Sequence, residues 1–419
     1  MSLKDNPFTS KTFEKSWFNH FYKGATRHTF SFIHGLSFYK HPKLRLFINT
    51  GRNLTKGISY EITETNLTDF KNKVFLLYDV PDFFNVETTT RPSDLGLHRI
   101  RQYPGFLINL EPYKDLDDYM RSTFSKSSRY KFKKYHKRLE SCFDISYKMF
   151  YGEVTKEEYD VVFAQFKHLL EKRFLDKQIR NNNLDAKEWG FYEDVAYPML
   201  LDKKASLFVI YNADQPIGIT LNYFSEHILF DAITVFDIDY AKFHVGSVAI
   251  MKQIEWCSAH QIKILDFSKG FFNYKERWGN KSYNFEYHIY YDKKSLFSTS
   301  TAFVLKIYFQ LKQVLRNKNV NEKLHKLTFW LKNKDKINYE ELDYVFNEID
   351  GNISMDNLTS IGTDSDEYRF LEKMTYDFLY LNMEQLKDLK IYRLPDGENR
   401  YILEGKRKKM VLQINAQHI

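Results

Sequence analysis

The stretch that decides the fold is DAITVF (231–236), DIDYAKFHVG (237–246), SVAIMKQIEWCSAH (247–260), QIKILDFSKG (261–270) and FFNYKERWG (271–279). It reads strand, loop, glycine, helix, strand, then an aromatic and basic run. A glycine that opens a helix straight after a strand is a place to hold a phosphate. Free backbone N–H groups and the positive end of the helix dipole both point outward there. The second strand ends in a loop carrying Lys269, Tyr274, Lys275, Arg277 and Trp278. Two strands flanking such a helix point to a nucleotide-bearing cofactor with a chemistry site between the strands.

Working outward, residues 146–293 alternate helix and strand. Thr155–Glu171 reads as an amphipathic helix, and Leu207–Tyr211 and Ile217–Phe224 as strands joined by the turn NADQP. Ile228–Val235 is the next strand, Gly246–His260 a helix, and Ile262–Phe267 and Phe285–Tyr291 further strands. That order implies a mixed sheet with one crossover. Residues 1–145 read as an α+β unit: a helix over Ser10–Tyr22, strands at Lys43–Asn49, Lys73–Tyr78 and Phe106–Leu110, then a long helix over Asp115–Ser141. Seven Lys or Arg lie between Lys126 and Arg138, either a solvated face or an anion-facing helix beside a cleft. Residues 295–334 read as helical, basic and aromatic; their apolar stripe is a packing face, with a peripheral membrane contact as the minority reading. Residues 335–419 read as a small α+β appendage, in which two or three helices precede a meander over Leu389–Leu394, Arg400–Glu404 and Lys409–Ile414. DGNISMDN at Asp350 fails as a calcium loop, because Met355 and Ile361 occupy the positions that need glycine and an acid.

Composition narrows the class. The chain has 419 residues, long enough for two or three domains with sizeable cores. Aromatic residues make up 17%, which excludes disorder over most of the chain. A net charge of +8 permits anionic partners and selects none. Cys142 and Cys257 offer neither a disulfide framework nor zinc spacing, so a metal is not expected and a reducing compartment fits. The N-terminus has no apolar segment of signal type, and no window is long and apolar enough to span a bilayer; the expected location is cytoplasmic. No GxSxG, HExxH or Walker pattern occurs.

Four segments carry a family resemblance: NPFTSKTFEKSWFNHFYKG, PGFLINLEPYKDLDDYMRSTFSKSSRYKFKKYHKRLE, FDIDYAKFHVG and DFSKGFFNYKERWG. Over residues 6 to 293 the chain resembles a GNAT-fold acyltransferase of the CelD/BcsL type, related to FemAB-like tandem GNAT proteins. The resemblance implies an α/β fold: tandem GNAT-like mixed sheets flanked by helices, with lobes at 1–145 (degenerate) and 146–334 (complete) and the appendage at 335–419. It implies that Ile228–Val235 and Ile262–Phe267 splay apart to take the pantetheine arm of acetyl-CoA or another acyl-CoA. The pyrophosphate would sit on the backbone of Val245, Gly246, Ser247 and Val248. The reaction implied is acyl transfer to an amine, less readily a hydroxyl, of a small molecule or a cell-envelope precursor. The chain departs from the pattern in three places. The usual Arg/Gln-x-x-Gly-x-Gly/Ala signature is missing around Gly246, His244-Val245 replaces Ser-Pro, and Phe271 and Phe272 stand where an acid is expected.

The candidate catalytic residues are Asp231, Asp266 and Tyr274. Strand-end carboxylates can act as general base, and a tyrosine can protonate a leaving thiolate; capping, ion pairing with Lys269, Lys275 or Arg277, and core packing are the structural counterparts. His244, Lys275 and Arg277 are candidates for contacting cofactor phosphate, with surface solvation as the counterpart. Trp278 reads as a packing anchor and Cys257 as buried and inert. Two other functions stay open: a FemAB-like transferase using aminoacyl-tRNA, whose basic helix would track RNA phosphates, and a non-catalytic scaffold. Nucleic acid is otherwise not expected as a partner.

Overall fold

The computed structural model describes residues 3, 5–63, 68–84, 86, 91–176, 182–317, 343–349, 358–362, 365–395 and 399–415. The helices are α1 (Lys11–Phe21), α2 (Leu116–Thr123), α3 (Lys126–Cys142), α4 (Lys156–Asp176), α5 (Ala186–Leu201), α6 (Val245–Ala259), α7 (Asn273–Trp278), α8 (Leu296–Asn317) and α9 (Asp366–Asn382). The strands in the first half are β1 (His28–Phe30), β2 (Ile33–Lys40), β3 (Leu46–Asn49), β4 (Glu61–Ile62), β5 (Val74–Pro81), β6 (Leu95–Asn109) and β7 (Ile145–Phe150). In the second half they are β8 (Ala205–Asn212), β9 (Gln215–Ser225), β10 (Ile228–Phe236), β11 (Ile264–Lys269) and β12 (Lys281–Asp292), and in the appendage β13 (Tyr344–Glu348), β14 (Thr359–Ser360), β15 (Lys390–Arg393), β16 (Arg400–Glu404) and β17 (Lys409–Ile414).

A single mixed sheet of 12 strands organises the molecule, in the order β1-β2-β3-β5-β12-β6-β11-β10-β9-β8-β7 with β4 beside β2. Among the described residues only β3–β5 and β10–β11 pair in parallel. β12 belongs late in the chain yet lies between β5 and β6, with Tyr291 opposite both Val74 and Gly96. The sheet is therefore continuous across residue 145.

One core holds α1, α4 and α5 through Phe13, Trp17, Phe163, Phe166, Trp189 and Phe191. A second holds α2, α3 and α6 through Tyr119, Phe132, Leu139, Val248 and Ile254. Local sequence explains the helix starts. Ser10 caps α1 by accepting from the Phe13 N–H at 3.3 Å, and Ser125 caps α3 by accepting from the Ser128 N–H at 3.2 Å. This second cap corrects the expectation of one helix over Asp115–Ser141. Phe124 is extended there and turns its ring onto Trp278 (centroids 4.9 Å apart), so the chain breaks to bury an aromatic. α8 lies on the sheet through Phe309, stacked 4.0 Å from Tyr287. The rest of the predicted 295–334 helical stretch, residues 318–334, lies outside the described residues, as does DGNISMDN.

The appendage is a sheet in the order β13-β17-β16-β15-β14 with α9, one helix among the described residues where two or three were expected. α9 docks on the second core. Tyr376 and Tyr380 meet Tyr240 and Phe243 (centroids 4.6 and 5.1 Å apart), and the Arg138 guanidinium donates to the Tyr380 carbonyl at 2.5 Å. Two of the seven cations of α3 are thus tied to backbone rather than solvated. Arg129 likewise donates to the Phe124 carbonyl at 2.6 Å.

Candidate active site

β10 and β11 are adjacent and parallel, and they share three register pairs: Ile228 with Ile264, Leu229 with Leu265, Phe230 with Asp266. Beyond Phe230 they part. β10 stays with β9 as far as Phe236 opposite Gly218, and β11 stays with β6 as far as Lys269 opposite Gly105. A wedge opens toward the carboxyl ends of both strands, lined by backbone that neither strand bridges to the other. β10 carries a register shift between Asp231 and Ile233, a bulge of the kind that re-aims a side chain. β11 ends in Ser268 (φ 58°) and Gly270 (φ 111°), which turn the chain sharply away.

Charged groups collect at the apex. Asp266 is fully buried, accepting the Tyr283 hydroxyl at 2.7 and 2.8 Å and the Ser268 N–H at 2.8 Å. Burial pushes its carboxyl up to about 7, against the pull of those hydrogen bonds. Asp231 accepts from the Thr234 hydroxyl at 2.8 Å, and burial raises it as well. Lys275 is buried, not at the surface as a phosphate ligand would be. Its ammonium donates to the Lys269 carbonyl at 2.9 Å and more weakly to that of Ser268 at 3.4 Å. Burial lowers it to about 8, with Lys56 as the next cause. Tyr274 stands beside them, edge-on to Phe267 with centroids 5.7 Å apart. The residue is 42% exposed, and local desolvation with the charge of Asp231 holds its phenol above the usual range, so it keeps its proton at neutral pH. The three predicted catalytic residues are thus brought together, with Lys275 added. A carboxyl near 7 can gain or lose its proton at neutral pH, and the charge of the nearby Lys275 ammonium favours its ionised form.

The start of α6 lies at the end where the wedge opens. His244 is its N-cap in left-handed conformation (φ 51°), with its ring 3.9 Å from that of Tyr135 on α3. Burial and then the charge of Arg277 push the imidazole down. The Ser247 and Val248 N–H groups donate back to the His244 carbonyl at 2.8 and 3.3 Å. Those of Val245 and Gly246 meet no acceptor among the described residues. A Cβ on Gly246 would stand 2.9 Å from the Phe236 ring, so close packing against an aromatic also favours glycine there. Arg277 lies over the Phe132 ring at 4.7 Å, and Trp278 is buried between Phe124 and Phe132.

Sequence reading missed Lys56, Asp79, Glu188 and Tyr283. Lys269 pairs with buried Asp79 at 2.5 Å rather than with Asp266. Asp79 was detectable as the one carboxylate in the apolar run VFLLYDVP. Lys56 and Glu188 carry no local signal, since they reach the apex only through the tertiary fold. Among the described residues no cluster of His, Cys, Asp and Glu could hold a metal, and no helix is long and apolar enough to cross a membrane.

Residues 126–276 match the family model of the Acetyltransferase (GNAT) domain, a segment running from α3 through the wedge to α7. Over that segment the chain carries a GNAT-fold domain. No curated protein matches the chain. Among solved structures it is similar to L-PGS from Bacillus licheniformis (11% identity, 73% of this chain and 98% of that one, TM-score 0.41). It is similar also to FemX (11%, 60% and 83%, 0.40) and to a tandem GNAT protein from the clavulanic acid biosynthesis pathway (7%, 60% and 77%, 0.31).

Proposed function

We propose that the chain transfers an acyl group from an acyl-CoA to an amine, the acceptor being a small molecule or envelope precursor. The observation that carries this reading is the wedge between β10 and β11, with ionisable groups at its apex and the start of α6 at its mouth. The residues present fit acyl-CoA in kind. The open backbone edges past Phe230 suit an extended amide-bearing arm, and the unpartnered Val245 and Gly246 amides with nearby Arg277 suit its phosphates. Phe236 against Gly246 narrows that approach. When bound, acyl-CoA supplies an activated thioester.

The chain's own residues then handle protons. Asp266, near neutrality, takes one from the acceptor ammonium; Lys275, an ammonium at that pH, favours the carboxylate that does so; Tyr274 retains a proton to give to the leaving group. Calorimetric titration with acetyl-CoA tests the reading. We expect binding to the parent and loss of binding in Gly246→Asp, which sets a carboxylate against the phosphates. Equal binding by both proteins moves the phosphate site elsewhere. Binding of tRNA with steep salt dependence, and none of acetyl-CoA, replaces the donor.

A further inference from the structure

Beside the apex, on the side of α1 and α5, lies a cavity of about 240 Å³ lined by Trp17, Phe21, Tyr22, Arg52, Leu54 and Glu188. At roughly 30 Å³ per water, this is room for about eight water molecules, or a group of about as many non-hydrogen atoms. Three aromatic rings and Leu54 make its apolar walls, Asn53 adds a polar point, and Arg52 and Glu188 add two points of opposite charge. Arg52 lies over the Tyr78 ring at 5.5 Å among the phenols of Tyr22 and Tyr39, and no carboxylate pairs with it among the described residues. Glu188 accepts the Tyr192 hydroxyl at 3.2 Å. Arg52 and Glu188 line one cavity yet form no ion pair with each other, so opposite charges face a common space without closing it.

The cavity is linked to the apex. Thr55, next in the chain to the lining Leu54, donates its hydroxyl to Asp79 at 3.0 Å, and Asp79 pairs with Lys269, whose carbonyl accepts from the Lys275 ammonium at 2.9 Å; Lys56 beside them feels the charges of both Glu188 and Asp231. A half-buried guanidinium without an acid holds an anion well. A carboxylate across the same space holds an ammonium.

We infer that this cavity is the acceptor site and that the acceptor is a zwitterion of amino-acid size, its anion on Arg52 and its amine toward Glu188 and the apex. The inference rests on the proposed acyl transfer for the word acceptor, but the cavity's preference is measurable without a donor. The full chain is titrated by calorimetry, with no acyl-CoA present, with valine, phosphoethanolamine, valinamide and isovalerate. Valine or phosphoethanolamine should bind at least about ten-fold more tightly than the singly charged valinamide and isovalerate. The better of the two tells carboxylate from phosphate. Arg52→Gln should abolish the preference and Arg52→Lys should keep part of it, with both variants checked by their melting curves. Equal binding of all four probes, no binding of any, or an undiminished preference in Arg52→Gln overturns the inference. Should a folded Arg52→Gln not be obtained, Glu188→Gln serves; it should lower valine binding and leave isovalerate unchanged, and equal loss of both overturns the inference. If the preference is found and acetyl-CoA does not bind, the donor reading fails while the acceptor site stands.

Discussion

Asp266→Asn separates the cost of burying a carboxylate from its use. The Asp266 carboxyl moves from an ordinary 3.8 to about 7 on folding. A raised acid binds more protons folded than unfolded between those values, so its contribution to stability falls as pH rises through that window. Between about pH 4.5 and pH 8 the loss comes to about 3 kcal/mol, at roughly 1.4 kcal/mol per pH interval traversed. Asn keeps an Oδ1 to accept the Ser268 N–H and one Tyr283 hydrogen bond, and gives up a charged acceptor worth roughly 2 kcal/mol. Urea unfolding at several pH values should therefore show the parent losing about 3 kcal/mol relative to Asp266→Asn over this range. Near pH 8 the variant should be the equal of the parent or slightly the more stable. Its acyl-transfer rate should fall by about 10² or more if Asp266 is the base. Parallel pH–stability curves for the two proteins would refute the buried-carboxylate reasoning, and an unchanged rate would remove Asp266 from the chemistry.

Lys275→Met should show the mirrored effect. Lys275 is lowered to about 8, so the parent should gain stability relative to the variant as pH rises from there to 10.5, and parallel curves would refute this. Gly246→Ala should cost about 1–3 kcal/mol through contact with Phe236, seen in thermal melts. Adding Phe236→Leu should restore stability, and donor binding should stay impaired if phosphate lies on that backbone. Removing the chain after residue 342 should strip Tyr376 and Tyr380 from Tyr240 and Phe243; a lower melting temperature or dye binding to exposed apolar surface would report it.

Much of the second half was legible because its strands are apolar runs bounded by polar turns. Leu207–Tyr211, Ile217–Phe224 and Ile228–Val235 fall inside β8, β9 and β10, and Gly246–His260 overlaps α6 within one residue at each end. Asp231 and Asp266 stood out because a carboxylate in such a run needs a reason. The first half was harder. β6 begins at Leu95, well before the predicted Phe106, since Gly96, Pro104 and Gly105 punctuate LGLHRIRQYPGF as a turn-bearing segment would be punctuated. α5 was missed altogether, as Pro198 and Gly190 interrupt its helical pattern. Lys275 looked like a surface cation because its neighbours Glu276 and Arg277 are exposed; only the turn at Ser268 and Gly270 folds it inward.

The place of β12 between β5 and β6 bears on how the chain is made. Val74 pairs with Tyr291, and β6 pairs with β11 from Asn109 opposite Ile264 to Gly105 opposite Lys269. During synthesis at roughly 5–20 residues per second, β5 and β6 would wait on the order of ten to forty seconds for their middle strand. The facing edges of β5 and β6 stand open for that time, the condition under which nascent chains pair wrongly with one another. Vectorial folding of a first lobe ahead of the second is closed to this topology. The wedge between β10 and β11 is framed only when a late strand threads back into the early one's sheet, so a ribosome-bound chain ending before residue 292 should expose the first half to protease throughout.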